Sequence, residues 1–178
     1  KLTSQRPVRT LKFQIVNRLL LPTSVMKGLT LRVSPPALTF LCLLGLVLFW
    51  WILPDLTFKF FGQIFVSIIL VVFGIAIVLI AIRRFYEVDT TVLPDEMDSS
   101  SALVIGGIFK ISRNPMYLGM AAVIAGFGVG LGTWVTLPIL GLFVFWITEN
   151  QIKPEEHALI KIFGSEFEDY KSKVRRWI

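Results

Sequence analysis

The chain has 178 residues, 54% of them hydrophobic, and a mean hydropathy of +0.73, more apolar than an ordinary soluble domain. One Cys (Cys42) and one His (His157) exclude an internal disulfide, a zinc cluster and a site built on several histidines, and no metal is expected. The net charge of +6 lies beside long uncharged blocks and not in a basic–aromatic module, which points to anionic lipid and away from nucleic acid.

Residues 1–32 alternate basic and apolar positions, LKFQIVNRLLLP and then VMKGLTLRV, and predict an interfacial amphipathic helix broken near Pro22. The first long apolar run starts only after residue 33 and has no small-residue cleavage pattern, so a cleaved signal peptide is not expected. Residues 33–54 and 60–82 carry no charge, and each is long enough for one membrane span of about 20 residues. Spans are expected over 36–53 and 61–82, the first starting at Pro35-Pro36, with Phe49, Trp50 and Trp51 in the aromatic belt at its outer end. The connection that follows holds an acidic cluster, Asp95-Glu96-Asp98, and an apolar stretch ending in Gly106-Gly107, which suits close backbone approach.

Residues 114–148 form a third uncharged block, 35 residues long, which fits a tight hairpin of two short spans turning at GLGTW. The alternating glycines of AGFGVGLG have no strand before them and predict close helix packing and a turn, not a nucleotide loop. In the tail, Pro154 with Glu155-Glu156 marks a helix start, Leu159, Ile160 and Phe163 form a helical stripe, and Gly164 is the expected C-cap. A second short helix carries Phe167, Tyr170 and Val174 and leads to Arg175-Arg176-Trp177, with Trp177 as a membrane anchor.

The expected architecture is an all-α integral membrane protein with about four transmembrane helices. A basic interfacial segment (1–35) precedes a hairpin scaffold (36–93) and a rim region (94–178) completed by the C-terminal helix pair. Positive charge gathers on one side of these spans, so both termini should be cytoplasmic. The hairpin brings its two ends together. Arg113, Asn114 and Tyr117 should therefore face Glu149, Glu155 and Glu156 at one depth, a rim pocket with carboxylates for a cation or ribose hydroxyls and an amide and phenol for a polar ligand.

Four elements in order carry a family resemblance: Ala102-Leu-Val-Ile-Gly-Gly-Ile-Phe109, Arg113-Asn-Pro-Met-Tyr-Leu-Gly119, Glu155-Glu156 with Leu159 and Phe163-Gly164, and Phe167 with Tyr170, Val174 and Arg176. The combination resembles the isoprenylcysteine carboxyl methyltransferases, and phosphatidylethanolamine N-methyltransferases look similar. The resemblance covers about half of the chain, residues 94–178. It implies S-adenosyl-L-methionine at the cytoplasmic rim and a lipophilic methyl acceptor arriving from the lipid bilayer. Carried over by position, the cofactor residues are Ser101, Ala102, Leu103, Val104, Phe109, Asn114, Pro115, Met116, Tyr117 and Glu155. Arg175, Arg176, Asp169 and Glu156 are the expected catalytic groups facing the acceptor, with Gln151 as a substrate-binding residue.

Two positions depart from the prenylcysteine pattern. Asn114 stands where the family's usual His falls, as in the phospholipid-type members, and Gln151 stands where the eukaryotic enzymes carry an Arg facing the substrate carboxylate. A carboxylate substrate would then need Lys153, Arg175 or Arg176. O-methylation of a prenylated cysteine or similar carboxylate is the first expectation, and N-methylation of a phospholipid head group is the alternative. A sterol-type membrane reductase would need a nicotinamide dinucleotide and a longer chain, and a non-enzymatic four-helix scaffold would not depend on Glu155.

Overall fold

The computed structural model describes residues 33–87 and 103–178. Their regular structure is helical, apart from one isolated bridge between Thr57 and Thr133. The expected interfacial segment, the acidic cluster at 95–98, and Ser101 and Ala102 lie outside the described residues.

Helix α1 (Pro35–Ile52) starts with proline in its first turn, where a missing N–H costs nothing. Helix α2 (Gln63–Glu87) runs about 38 Å at 1.5 Å per residue. Both are long and apolar enough to cross a membrane. Their large side chains, Phe40, Leu48, Trp51, Phe65, Val72, Phe73 and Leu79 among them, are exposed. A core helix of a water-soluble domain would bury such a set, whereas lipid would cover it. The second helix passes its expected end at residue 82 because Arg83 and Arg84 both pair with Glu87, at 2.9 and 2.8 Å, and carry the helix to that residue.

Helix α3 (Pro115–Leu131) and helix α4 (Thr136–Ile147) form the expected hairpin. Gly132 caps α3 in the left-handed conformation (φ 66°) while the Thr133 N–H reaches the Gly128 carbonyl at 3.3 Å, the double closure of a Schellman turn. An added Cβ at Gly132 would also collide with the Phe58 carbonyl. The turn is tied to the α1–α2 loop by Phe58 N–H to Gly132 O (2.6 Å) and Trp134 N–H to Leu56 O (2.9 Å). Gln63 Nε2 donates to the carbonyls of Val129 and Gly130 at 2.9 and 3.2 Å, satisfying the end of α3.

Glycine also sets the crossing of α2 on α3. An added Cβ at Gly119 would stand 2.6 Å from the Gly74 carbonyl, and one at Gly74 would stand 2.5 Å from the Gly119 carbonyl. At Gly126 it would meet Leu70 and Val71. The alternating glycines thus serve helix packing and the turn, as their position inside an apolar run implies.

The fourth helix does not stop before the tail. Helix α4 passes through a π-helical turn (Thr148–Ile152) into helix α5 (Lys153–Phe163), where a new helix start at Pro154 was expected. The Lys153 N–H bonds the Thr148 carbonyl five residues back. The wider turn lets Pro154, which has no N–H to give, follow within a continuous rod. Helix α4 alone, about 18 Å long, is short of a bilayer core of about 30 Å, and α3 reaches about 25 Å. Gly164 (φ 54°) ends α5 as expected, and helix α6 (Ser165–Lys173) folds back from it.

Two apolar clusters result. One joins α1, α3, α4 and the π turn around Leu46, Tyr117, Ile124, Phe143, Ile147 and Ile152. The other lies beneath α6 and the short 3₁₀ turn Gly107–Lys110, around Ala81, Val104, Phe109, Phe167 and Tyr170.

Candidate functional site at the helix rim

The SRNP turn leads into α3 at the junction of these clusters. Met116 packs against the second and Tyr117 is buried in the first. Asn114 occupies the N-cap position of α3, yet its side chain makes no cap bond. It donates instead through Nδ2 to the Arg176 carbonyl at 2.9 Å. Buried Ser112 accepts the Asn114 N–H at 3.1 Å and donates to the same Arg176 carbonyl at 3.4 Å. The Arg113 N–H donates to the Arg175 carbonyl at 3.1 Å. Three consecutive residues therefore hold the backbone of the C-terminal segment. Trp177, expected as a membrane anchor, packs instead against the first cluster, and its indole N–H donates to Thr148 Oγ1 at 3.2 Å.

The two adjacent glutamates of α5 serve different partners, because successive helix residues diverge by about 100°. Glu155 accepts the Tyr117 phenol O–H at 2.6 Å and the Gln151 amide N–H at 2.6 Å, both on Oε1. Gln151 and Glu155 are one helical turn apart, so the π turn and α5 present them on one face. Glu156 turns inward. Arg176 binds it bidentately, Nε to Oε1 at 3.0 Å and Nη2 to Oε2 at 2.7 Å, and Arg113 Nη1 stands 3.1 Å from Oε1.

The charges follow from this geometry. Burial alone would raise the Glu156 pKa, but the hydrogen bonds from Arg176 and the charge of Arg113 overcome it and hold the carboxyl below its usual range. The hydrogen bond to Glu156 raises Arg176. Arg113 is lowered by burial, with Glu156 opposing. Burial raises the Tyr170 phenol, whose O–H donates to the Phe109 carbonyl at 2.6 Å.

Most of the expected site residues that are described fall into three groups. Tyr117, Glu155 and Gln151 meet directly. Val104 and Phe109 lie in the second apolar cluster with Leu103 and Met116 packed on it, and Pro115 is buried at the start of α3. Glu156 and Arg176 form an ion pair of their own, and Asn114 is engaged with the tail backbone. Arg175 and Asp169 are exposed, and among the described residues they contribute carbonyls, not side chains, to hydrogen bonds. Arg113 was expected at the rim but given no cofactor or acceptor role. Its signal was an Arg immediately before an Asn-Pro turn and an uncharged run, but its partners, Glu156 and the Arg175 carbonyl, lie far along the chain.

An apolar helical bundle with a polar cluster at one rim is the build of a membrane protein with a surface-level site. The model of the phospholipid methyltransferase family matches residues 62–166, more than half of the chain, and the chain belongs to that family. It is 28% identical over 125 residues to a protein-S-isoprenylcysteine O-methyltransferase of Dictyostelium discoideum, covering 70% of this chain and 52% of that protein. It is 32% identical over 89 residues to the protein of that name in Saccharomyces cerevisiae, covering 47% of this chain and 35% of that one. With the Rattus norvegicus protein of the same name the identity is 30% over 114 residues, covering 61% and 38%. The chain spans about half or less of the length of these relatives. No solved structure matches it. Membership in a methyltransferase family implies a methyl donor.

Proposed function

We propose that the chain is a membrane methyltransferase that takes S-adenosylmethionine at the cytoplasmic rim and methylates a lipophilic acceptor. In this reading α3 and α4 complete a four-span bundle with α5 continuing past the rim, both termini are cytoplasmic, and residues 94–178 form the catalytic region. The observation that carries it is the Tyr117–Glu155–Gln151 cluster, formed where the mouth of α3 meets the start of α5 and inside the family match. The residue types fit the group. A carboxylate held by Tyr117 and Gln151 suits ribose hydroxyls or an ammonium, and the apolar cluster of Val104 and Phe109 on which Met116, one residue from Tyr117, packs gives an environment of the type an adenine takes.

The bound sulfonium would supply an activated methyl and a good leaving group, so a carboxylate acceptor needs no base, whereas an ammonium head group would first have to give up a proton. Tyr117 and Gln151 hold the Glu155 carboxylate in one orientation, and the tail segment packed over the SRNP turn limits water. Both act through alignment and exclusion of a competing acceptor.

The relatives' names favour an oxygen of an isoprenylated cysteine as acceptor, and the family description favours a phospholipid. A transfer assay separates them. Purified protein in lipid receives methyl-labelled S-adenosylmethionine with either a prenylated cysteine or phosphatidylethanolamine. Label released by mild base reports an ester, and base-stable label reports an N-methyl group. Transfer to neither, in a preparation that binds the donor, would redirect the search to another acceptor. Wild-type protein that binds no donor would leave the scaffold reading.

A further inference from the structure

The Arg113 side chain is buried at the rim, 8% exposed, and its Nε and Nη1 have no hydrogen-bond partner. Its Nη1 is near Glu156 Oε1 but not aligned to donate to it. The single Glu156 carboxylate, 10% exposed, is already engaged by both fork nitrogens of Arg176. Two guanidinia therefore share one carboxylate, leaving one positive charge in a water-poor place. Buried guanidinium donors are normally satisfied, and an orphaned pair calls for a missing acceptor. Arg176, 32% exposed, is the open side of the group. The neighbouring Tyr170 phenol supplies no acceptor charge, since it is held neutral and donates to Phe109.

We infer that Arg113 and Arg176 form a subsite for the carboxylate of a ligand, which takes up the donors that Glu156 leaves unsatisfied. A monoanion matches the surplus of one charge, and a second carboxylate repeats the planar fork geometry that Glu156 already makes with Arg176. The inference rests on the methyltransferase reading and sharpens it, because two carboxylates could come here: that of the cofactor's amino-acid end and that of the methyl acceptor.

Calorimetric titration of the full chain in detergent tests it with two ligand pairs, one member of each lacking the carboxylate: the first pair differs by the whole amino-acid end and the second by the acid alone. The first is S-adenosylhomocysteine against 5′-methylthioadenosine, and the second is a prenylated cysteine against its methyl ester. In Arg113→Gln the carboxylate-bearing member of one pair should weaken by about tenfold or more, with its carboxylate-free partner within about twofold of wild type. Loss in the first pair assigns the subsite to the cofactor, and loss in the second assigns it to the acceptor. Arg113→Lys should recover part of the lost affinity, since it restores charge without the fork. The comparison within each pair is independent of the folded fraction. Wild-type binding of S-adenosylhomocysteine with both pairs unchanged, or with both members of each pair weakened equally, in Arg113→Gln would overturn the subsite and leave Arg113 a packing strut. Failure of wild type to bind any of the four would instead remove the methyltransferase reading beneath it.

Discussion

The two ends of the helical bundle are held by different physics. At the turn of the α3–α4 hairpin the bonds are backbone to backbone, Phe58 to Gly132 and Trp134 to Leu56, with Gln63 capping two carbonyls. Below it, Gly74, Gly119 and Gly126 bring α2 and α3 into contact with no room for a side chain. At the rim all the ties but the Arg113–Arg175 backbone bond run through side chains: Asn114 and Ser112 to the tail, Tyr117 and Gln151 to Glu155, and two arginines to Glu156. Backbone and glycine contacts have no charge to lose and tolerate no added atoms. A side-chain network can be dismantled one group at a time and responds to pH and to ligands, as a site requires.

The largest expected effect is at the rim. Glu156→Gln leaves two guanidinia without a carboxylate and should cost about 3–5 kcal/mol, read by thermal unfolding and by faster proteolysis after Lys173. The same carboxylate gives the rim its acid sensitivity. Its pKa in the folded chain is lowered, so its contribution is present above the unfolded carboxyl range near about 4.3 and is lost as pH falls through the lower folded value. Wild type should lose tail protection on acidification, and Glu156→Gln should show no such step.

The packing half responds to volume instead. Gly119→Ala sets a methyl against the Gly74 carbonyl and Val78, and should cost about 1–3 kcal/mol with no dependence on pH. An unchanged melting temperature would mean that the α2–α3 crossing is looser than described. Tyr117→Phe removes one hydrogen bond to a carboxylate, worth about 1.5–3 kcal/mol. Its affinity for S-adenosylhomocysteine should fall more than its melting temperature, because the bond orients Glu155. The smallest effect belongs to Lys153→Ala. Its pair with Glu149 is well exposed and should contribute about 0–1 kcal/mol, within error of wild type by the same unfolding assay.

Much of the packing half was legible from residue order. Uncharged blocks of the right length gave α1 and α2, alternating glycines gave the close crossing and the turn, and Gly164 gave the end of α5. These features depend on local composition. The rim was legible only as a meeting of two segments, the Asn-Pro-Met-Tyr turn and the Glu-Glu pair. Which glutamate turns toward Tyr117 and which toward the arginines depends on the helical phase carried through the π turn, where sequence suggested a fresh start at Pro154. Asn114 could have capped α3, but a carbonyl 62 residues away competes for its amide. Arg113 read as one more rim charge, because its burial exists only after the tail has docked.

The most direct measurement is titration of S-adenosylhomocysteine into the detergent-purified chain, beside Glu155→Gln and Tyr117→Ala. The account predicts saturable binding by wild type, weakened by both changes while the folded fraction measured by unfolding stays high. Binding that is absent in well-folded wild type, or indifferent to both substitutions, would contradict the cofactor site at Tyr117 and Glu155.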